Sequence, residues 1–527
     1  MHRQPETSEA PQPTPGGSAW AWSAAARCCS TAWQWAGSHC AGDDAGESSM
    51  RTRRIQRSRV RSRTPLRDMH RDAATTLREP MTTYPLGRSL TAVLTGTFTL
   101  RFSTGLTGTM LGTYLARFQD HGGPHISGLE VGLLSALYFA SELVLSPPFG
   151  VLSDRLGSHR VMQWGPIFGA VAVVMTAAST HSIVLGALSG GAILVWLGAT
   201  RLLEGAAAGA SIPSILGYIA AASSVDEGLR GRVVSRFEAA TLTGLGLGIV
   251  VGPALFGAIG PAAFLLNAVV YGGSFAIYRW GVSELPAEAR IRSSEARQHF
   301  SLRAYLQLLK SSAVWLLAPT WIALNAVIGS WTSQSVFQLV QRSRVPRFPT
   351  QVLSGGVEPV AISIGAGVGL LVFLGGLVFW GNRFKRFRRT TIIAFGIAGG
   401  FAMLLGVAGI NHSQGLGWPI VGALVLVLLS GLFVLAGATP AALGLLADMT
   451  EAHPEDRGAM MGLYSVFLGV GQILGSLMAG FAADRLGFDG LIVVGVILLA
   501  VAVIPLGRLR ASEHIFDDHA RARRDRG

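Results

Sequence analysis

Arg201 and Glu204 stand three residues apart in GATRLLEGAAAGA, and the chain from His181 to Asp226 carries no other charge. On a helix, residues at i and i+3 share a face and can pair. An ionised group in an apolar run costs at least about 2.5 kcal/mol on insertion scales, so it is expected to be paired, to face water or to carry an ion. Two more charges interrupt apolar runs: Arg101 in TLRFSTGLTGTML and Glu142 in YFASELVL. At 1.5 Å per residue each lies about 12–16 Å from the same end of its helix, so the two can meet. A carboxyl group balanced between burial and a nearby arginine can take up and release a proton. Glu142 and Glu204 are therefore candidate proton carriers, with Arg101 and Arg201 as counter-charges. A static ion pair that packs helices is the alternative for both.

The chain around these residues is built to cross lipid. It has 527 residues, half of them hydrophobic and only 14% charged, with a mean hydropathy of +0.44. Soluble domains carry about 25% charged residues. The apolar residues cluster in windows of about 20, enough for a helix to span a bilayer. Sixty-seven glycines suit close helix contacts in such a bundle. The net charge of +13 fits basic residues in short cytoplasmic loops better than nucleic-acid binding. The cysteines, Cys28, Cys29 and Cys40, lie in the first 40 residues and form no metal or disulfide pattern. No nucleophile–base pair or metal set stands in the spans, and no GxxxxGK[ST] loop occurs. These features argue against an enzyme and an ATP-driven pump. No cofactor or metal is expected.

Twelve spans are predicted: 92–116, 127–150, 161–180, 190–220, 235–257, 261–281, 313–338, 358–381, 391–410, 418–447, 459–482 and 488–507. The domain division follows. Residues 1–89 form a disordered tail, 90–282 the first six-helix bundle, 283–311 a linker, 312–508 the second bundle and 509–527 a second tail. Within the first tail, RTRRIQRSRVRSR suits anionic lipid; alternatively the protein starts at Met81. With both termini in the cytoplasm, Arg155, Arg160, Arg230, Arg232, Arg236, Arg383 and Arg457 all fall inside. Arg342, Arg344 and Arg347 fall outside and argue against that orientation. A repeat supports the count: Gly246, Gly248, Gly252 and Gly257 in span five match Gly469, Gly471, Gly475 and Gly480 in span eleven at identical spacing. Span n pairing with n+6 implies two duplicated halves.

Between spans two and three lies Gly150-Val-Leu-Ser-Asp154-Arg155-Leu-Gly157-Ser-His159-Arg160. This loop resembles the signature G-x-L-a-D-R-x-G-r-k-r of the major facilitator superfamily, matching at Gly150, Leu152, Asp154, Arg155, Gly157 and Arg160. The resemblance implies an all-α membrane fold of twelve helices in two pseudo-symmetric bundles. It also implies that Asp154 locks onto the start of span eleven, near Arg457–Gly458, in the outward-facing state. A bare DRLG recurs at 484–487, outside by this count, so the short form alone is weak. The corresponding second-half loop, WGNRFKRFRRT at 380–390, has no acid. Arg201-x-x-Glu204-Gly205 resembles the family's R-x-x-q-G pattern, linked to proton transfer in drug:proton antiporters. Gly248, Gly252, Pro253 and Gly257 resemble the exporter pattern of span five, with Phe256 replacing one glycine; close packing explains the same residues.

Asn267, Tyr271, Asn325, Trp331, Gln334, Tyr464 and Gln472 are candidates to line a substrate cavity. The expected function is secondary transport by alternating access, with proton-coupled efflux of a small, moderately hydrophobic molecule favoured. Uptake of a sugar, nucleoside or peptide-like solute is the alternative, and a non-transporting sensor or scaffold the rival from another class. The expected partners are the substrate, protons and the lipid bilayer, with no nucleic acid, and a monomer is expected.

Overall fold

In the computed structural model, residues 86–285, 312–452 and 457–524 are described, apart from a few positions in 182–189 and residues 224–226, 343–346 and 385. The expectations for residues 1–85 and for the linker's core at 286–311 lie outside the described residues.

Every predicted span is a helix: α1 Leu86–Ala116, α2 Gly128–Leu156, α3 Trp164–Ala178, α4 Gly190–Ala222, α5 Glu227–Ile259, α6 Ala262–Gly281, α7 Ser312–Val340, α8 Pro359–Gly381, α9 Arg389–Asn411, α10 Trp418–Leu435 continuing as Ala438–Ala452, α11 Arg457–Leu486 and α12 Phe488–Arg524. A single turn of helix, Ser158–Val161, precedes α3. Among the described residues nine helices are long and apolar enough to cross a membrane. α1 and α6 carry polar residues that their packing uses, such as Thr107 and Asn267. Three ends differ from the sequence expectation. α5 starts eight residues early, α10 breaks at Ala436–Gly437, and α12 runs on to Arg524 rather than stopping at 508.

The repeated glycines explain how the halves are built and joined. A Cβ on Gly248 would collide with the Phe102 carbonyl of α1, and one on Gly252 with Thr109 of α1. Their counterparts Gly471 and Gly475 do the same to the Ile322 and Ala326 carbonyls of α7. These four let α5 and α11 lie flush against the first helix of their own half. The remaining four face the other half. Gly246 and Gly257 meet Leu370 and Pro359 of α8, while Gly469 and Gly480 meet Leu143 and Gly128 of α2. One spacing, used twice, makes both the bundle and the seam. Each half has its own apolar core, around Tyr114, Phe118 and Phe264 in the first and Trp321, Trp380 and Ile393 in the second.

The loops divide between two faces. One, the basic face, carries the 150–160 turn, the end of α4, the start of α5 and the end of α8. The opposite face carries 117–127, the end of α7, the start of α8, 412–417 and Gly487.

Candidate functional site

Arg201 and Glu204 lie on α4 and are 4% and 2% exposed, with the guanidinium paired to the carboxylate. α4 reaches this depth because it packs tightly on α2. A Cβ on Gly205 would strike the Tyr138 carbonyl, and Ser141 Oγ donates to the Leu202 carbonyl at 2.6 Å. Thr107 of α1 and Tyr271 of α6 flank Glu204, but neither hydroxyl bonds to it. Thr107 Oγ1 donates to the Ser103 carbonyl at 2.9 Å and accepts from Asn267 Nδ2 at 2.9 Å. Tyr271 Oη, Ser103 Oγ, Asn267 Oδ1, and Arg201 Nε and Nη2 make no hydrogen bond, nor does the Glu204 carboxylate beyond its arginine. Buried polar atoms are rarely left so. This cluster lies where α1, α4 and α6 meet, inside the first half.

A second ionised group faces a cleft. Arg101 of α1 interacts with Glu142 of α2 and also with Glu238 of α5. Tyr138, one turn before Glu142, lies beside its carboxylate and also senses Glu204 and Tyr271, linking the two groups. Arg101, Tyr138 and Glu142 are half-buried, while Glu238 is exposed although crowded by protein. That combination describes the wall of an open cleft. Two carboxylates lie within electrostatic range of one guanidinium, leaving an acidic excess. Arg101 and Glu142 thus lie in the same part of the first half, and Glu238, which the sequence reading passed over, lies there with them. Its signal was available: it stands three residues inside the predicted span 235–257.

On the basic face, Gly157 ends α2 at φ 95°, with its N–H bonded to Ser153 O at 3.0 Å. His159 and Arg160 reach Glu284, just past α6, at 3.8 and 3.9 Å. Gly150 sits against Pro213 of α4; Asp154 and Arg155 are exposed. The side chains of 446–464 lie outside the described residues, so Tyr464 and the expected contact of Asp154 with Arg457–Gly458 fall there. In the 380–390 loop, Arg383 and Arg389 lie over the rings of Phe379 and Phe384 at 3.5 and 4.7 Å.

On the opposite face the halves are closed on each other. Asp484, at the end of α11, accepts from the backbone N–H groups of Gly128 at 2.6 Å and Leu129 at 2.9 Å. Gln334 Nε2 of α7 donates to the Gly128 carbonyl at 2.8 Å. A Cβ on Gly132 would strike the Ser476 carbonyl. Arg342 pairs with Asp120 between the two halves' loops and, by that hydrogen bond, holds the Asp120 carboxyl below the usual carboxylate range. The arginine that counted against the orientation thus has an acid across the seam. Arg347 stacks on Phe348 at 5.3 Å, and Arg344 is outside the described residues.

The other candidate cavity residues are placed as follows. Asn267 is fully buried between α6 and α1, and its amide also donates to the Ser103 carbonyl at 3.1 Å. Asn325 is 2% exposed and donates to the Trp321 carbonyl within α7. Trp331 packs edge-on to Phe488 at 6.1 Å, and the Gln472 backbone crosses α7 at Gly329. Pro253 lies within α5 between its two packing glycines.

The family model described as Major Facilitator Superfamily matches residues 93–433 and 356–524. Two crystal structures of the nucleoside transporter NupG, one of them a point mutant, resemble this chain at 15% identity. The mutant has a TM-score of 0.60 and the match covers 80% of this chain and 99% of that one; the other has 0.58, 80% and 98%. No curated protein matches the sequence.

Proposed function

The chain belongs to the Major Facilitator Superfamily, a multi-pass membrane transporter rather than an enzyme, and on that footing we propose that it couples proton movement to the transport of a small molecule by alternating access. The observation that carries the coupling is the cleft group: Arg101 within electrostatic reach of both Glu142 and Glu238. A proton binding either carboxylate, or a substrate bearing positive charge or hydrogen-bond donors, would compete for the same acidic excess. That competition is the basis of antiport. Tyr138 and the Arg201–Glu204 pair lie behind the cleft, where a proton can be held out of water. The basic face is cytoplasmic in this reading, with both termini on that side. Efflux of moderately hydrophobic molecules is the favoured direction, supported by the Gly248-x-x-x-Gly252-Pro253 pattern.

The second reading is nucleoside uptake, favoured by the likeness of the fold to NupG and by the amides and indoles along α7, which suit a hydroxylated, aromatic solute. Proteoliposomes with an imposed pH gradient separate the two. A lipophilic cation dye that collapses the gradient supports antiport. Gradient-driven accumulation of uridine supports uptake. Movement of neither probe under any gradient would overturn the proton-coupled reading for both classes.

A further inference from the structure

Helices α2 and α11 run antiparallel, pack on each other across the seam, and end in the same eight-residue pattern. One reads Gly150-x-x-x-Asp154-Arg155-Leu156-Gly157, the other Gly480-x-x-x-Asp484-Arg485-Leu486-Gly487. Both terminal glycines have positive φ, 95° and 65°, which side chains other than glycine rarely adopt. Both send their N–H back four residues, to Ser153 O at 3.0 Å and Ala483 O at 2.9 Å. Each aspartate is therefore set in the last turn of its helix, at the same height above the closing glycine.

At the 484 end the carboxylate takes two N–H groups from the first turn of α2, where such groups lack partners within the helix and the helix dipole is positive. Such charge-assisted bonds are about twice as strong as neutral ones. α2 has its own capping box, Ser127 with Glu130, so Asp484 is not needed merely to start that helix. What it adds is a bond from one half to the other. Gln334 holds the same Gly128 peptide through its carbonyl. Glycine contacts then run down the seam from Gly480 and Gly132 to Gly469 against Leu143.

We propose that Asp484 is a positioning residue for transport, a latch that holds the opposite face shut by binding the first turn of α2. The proposal rests on the alternating-access reading. Each helix is about 45 Å long, so a tilt of about 10° about its middle moves each end by roughly 4 Å, enough to break both bonds. The ratio of the open and closed states of this face is then set in part by the strength of the latch.

Spin labels at Gln119 and Val352, both exposed on the opposite face, read the ratio in nanodiscs, in the full chain with Cys28, Cys29 and Cys40 replaced by serine. Asp484→Asn is expected to raise the open-to-closed ratio on that face about tenfold, the size of one charge-assisted bond. Should Asp484→Asn not be monodisperse, Asp484→Glu carries the test, since its longer side chain displaces the carboxylate and shifts the ratio the same way. Two populations whose ratio ignores Asp484 would overturn the latch alone. A single distance in every variant would overturn alternating access, and the latch with it.

Discussion

The two halves share a packing plan but not a core chemistry. In the first, a guanidinium and a carboxylate are buried together on α4, and a second set of charges faces the cleft from α1, α2 and α5. In the second half the buried polar side chains among the described residues are uncharged, among them Asn325, Ser330, Gln334 and Gln338 on α7, with Thr390, Asn411 and Ser476 elsewhere. Duplication supplied one scaffold, and the copies then diverged in what they bury. The charged side chains buried among the described residues are in the first half. The second supplies buried amides, one of which, Gln334, holds the seam.

The largest effect should come from Glu204→Gln. Removing one partner of a buried pair costs about 3–5 kcal/mol, so a lowered melting temperature and lost gradient-driven transport are both expected. The double variant Arg201→Met/Glu204→Met is expected to regain stability but not coupling, read as proton flux per substrate moved. Retained coupling would erase the contrast between the halves. Next come Glu142→Gln and Glu238→Gln. Each is expected to lower gradient-driven transport about tenfold, the scale of one charge-assisted contact, with little change in melting. Gln334→Leu tests the other half: it severs the bond to Gly128 and is expected to slow transport about fivefold, a loss of about 1 kcal/mol, with proton stoichiometry unchanged. A changed stoichiometry would show that the second half shares the ionic work.

The smallest effect belongs to Asp120→Asn. Its pair with Arg342 is exposed, and exposed pairs contribute little, so transport should change by less than about a factor of two. The sign of its pH dependence is fixed. Because the carboxyl is depressed in the folded chain, its contribution is present above the ordinary carboxylate pKa of about 3.9. It is lost only as pH falls through the lowered value. Melting curves of Asp120→Asn and the parent should therefore converge in acid.

Much of this was legible in the residues. Windows of apolar residues gave all twelve helices, because a helix must satisfy its backbone within lipid. The glycine spacing gave the duplication. Glu238 was passed over, although it stands inside the predicted span, because it follows Arg232 and Arg236 and reads as one more charge of the basic loop before it. The break in α10 had a local sign in Gly437 and Pro440, since a proline is tolerated in the first turn of a new segment but not within a continuous one. Asp484 was hidden by position: DRLG is a weak pattern, and its partner lies 355 residues away at Leu129. The continuation of α12 carried no apolar signal, because a helix leaving the membrane follows other rules.

The polar character of α1 bears on how the protein is made. A translocating channel releases a segment sideways into lipid according to that segment's own hydrophobicity, and α1, interrupted by Arg101 and rich in threonine, is less apolar than the helices that qualify as spans. α1 emerges first from the ribosome, yet α5, on which it packs, is synthesised more than a hundred residues later. The nascent chain must therefore shelter α1 beside the channel until α5 arrives, and a mutation that weakens their glycine contact should be seen first as degraded, unassembled protein.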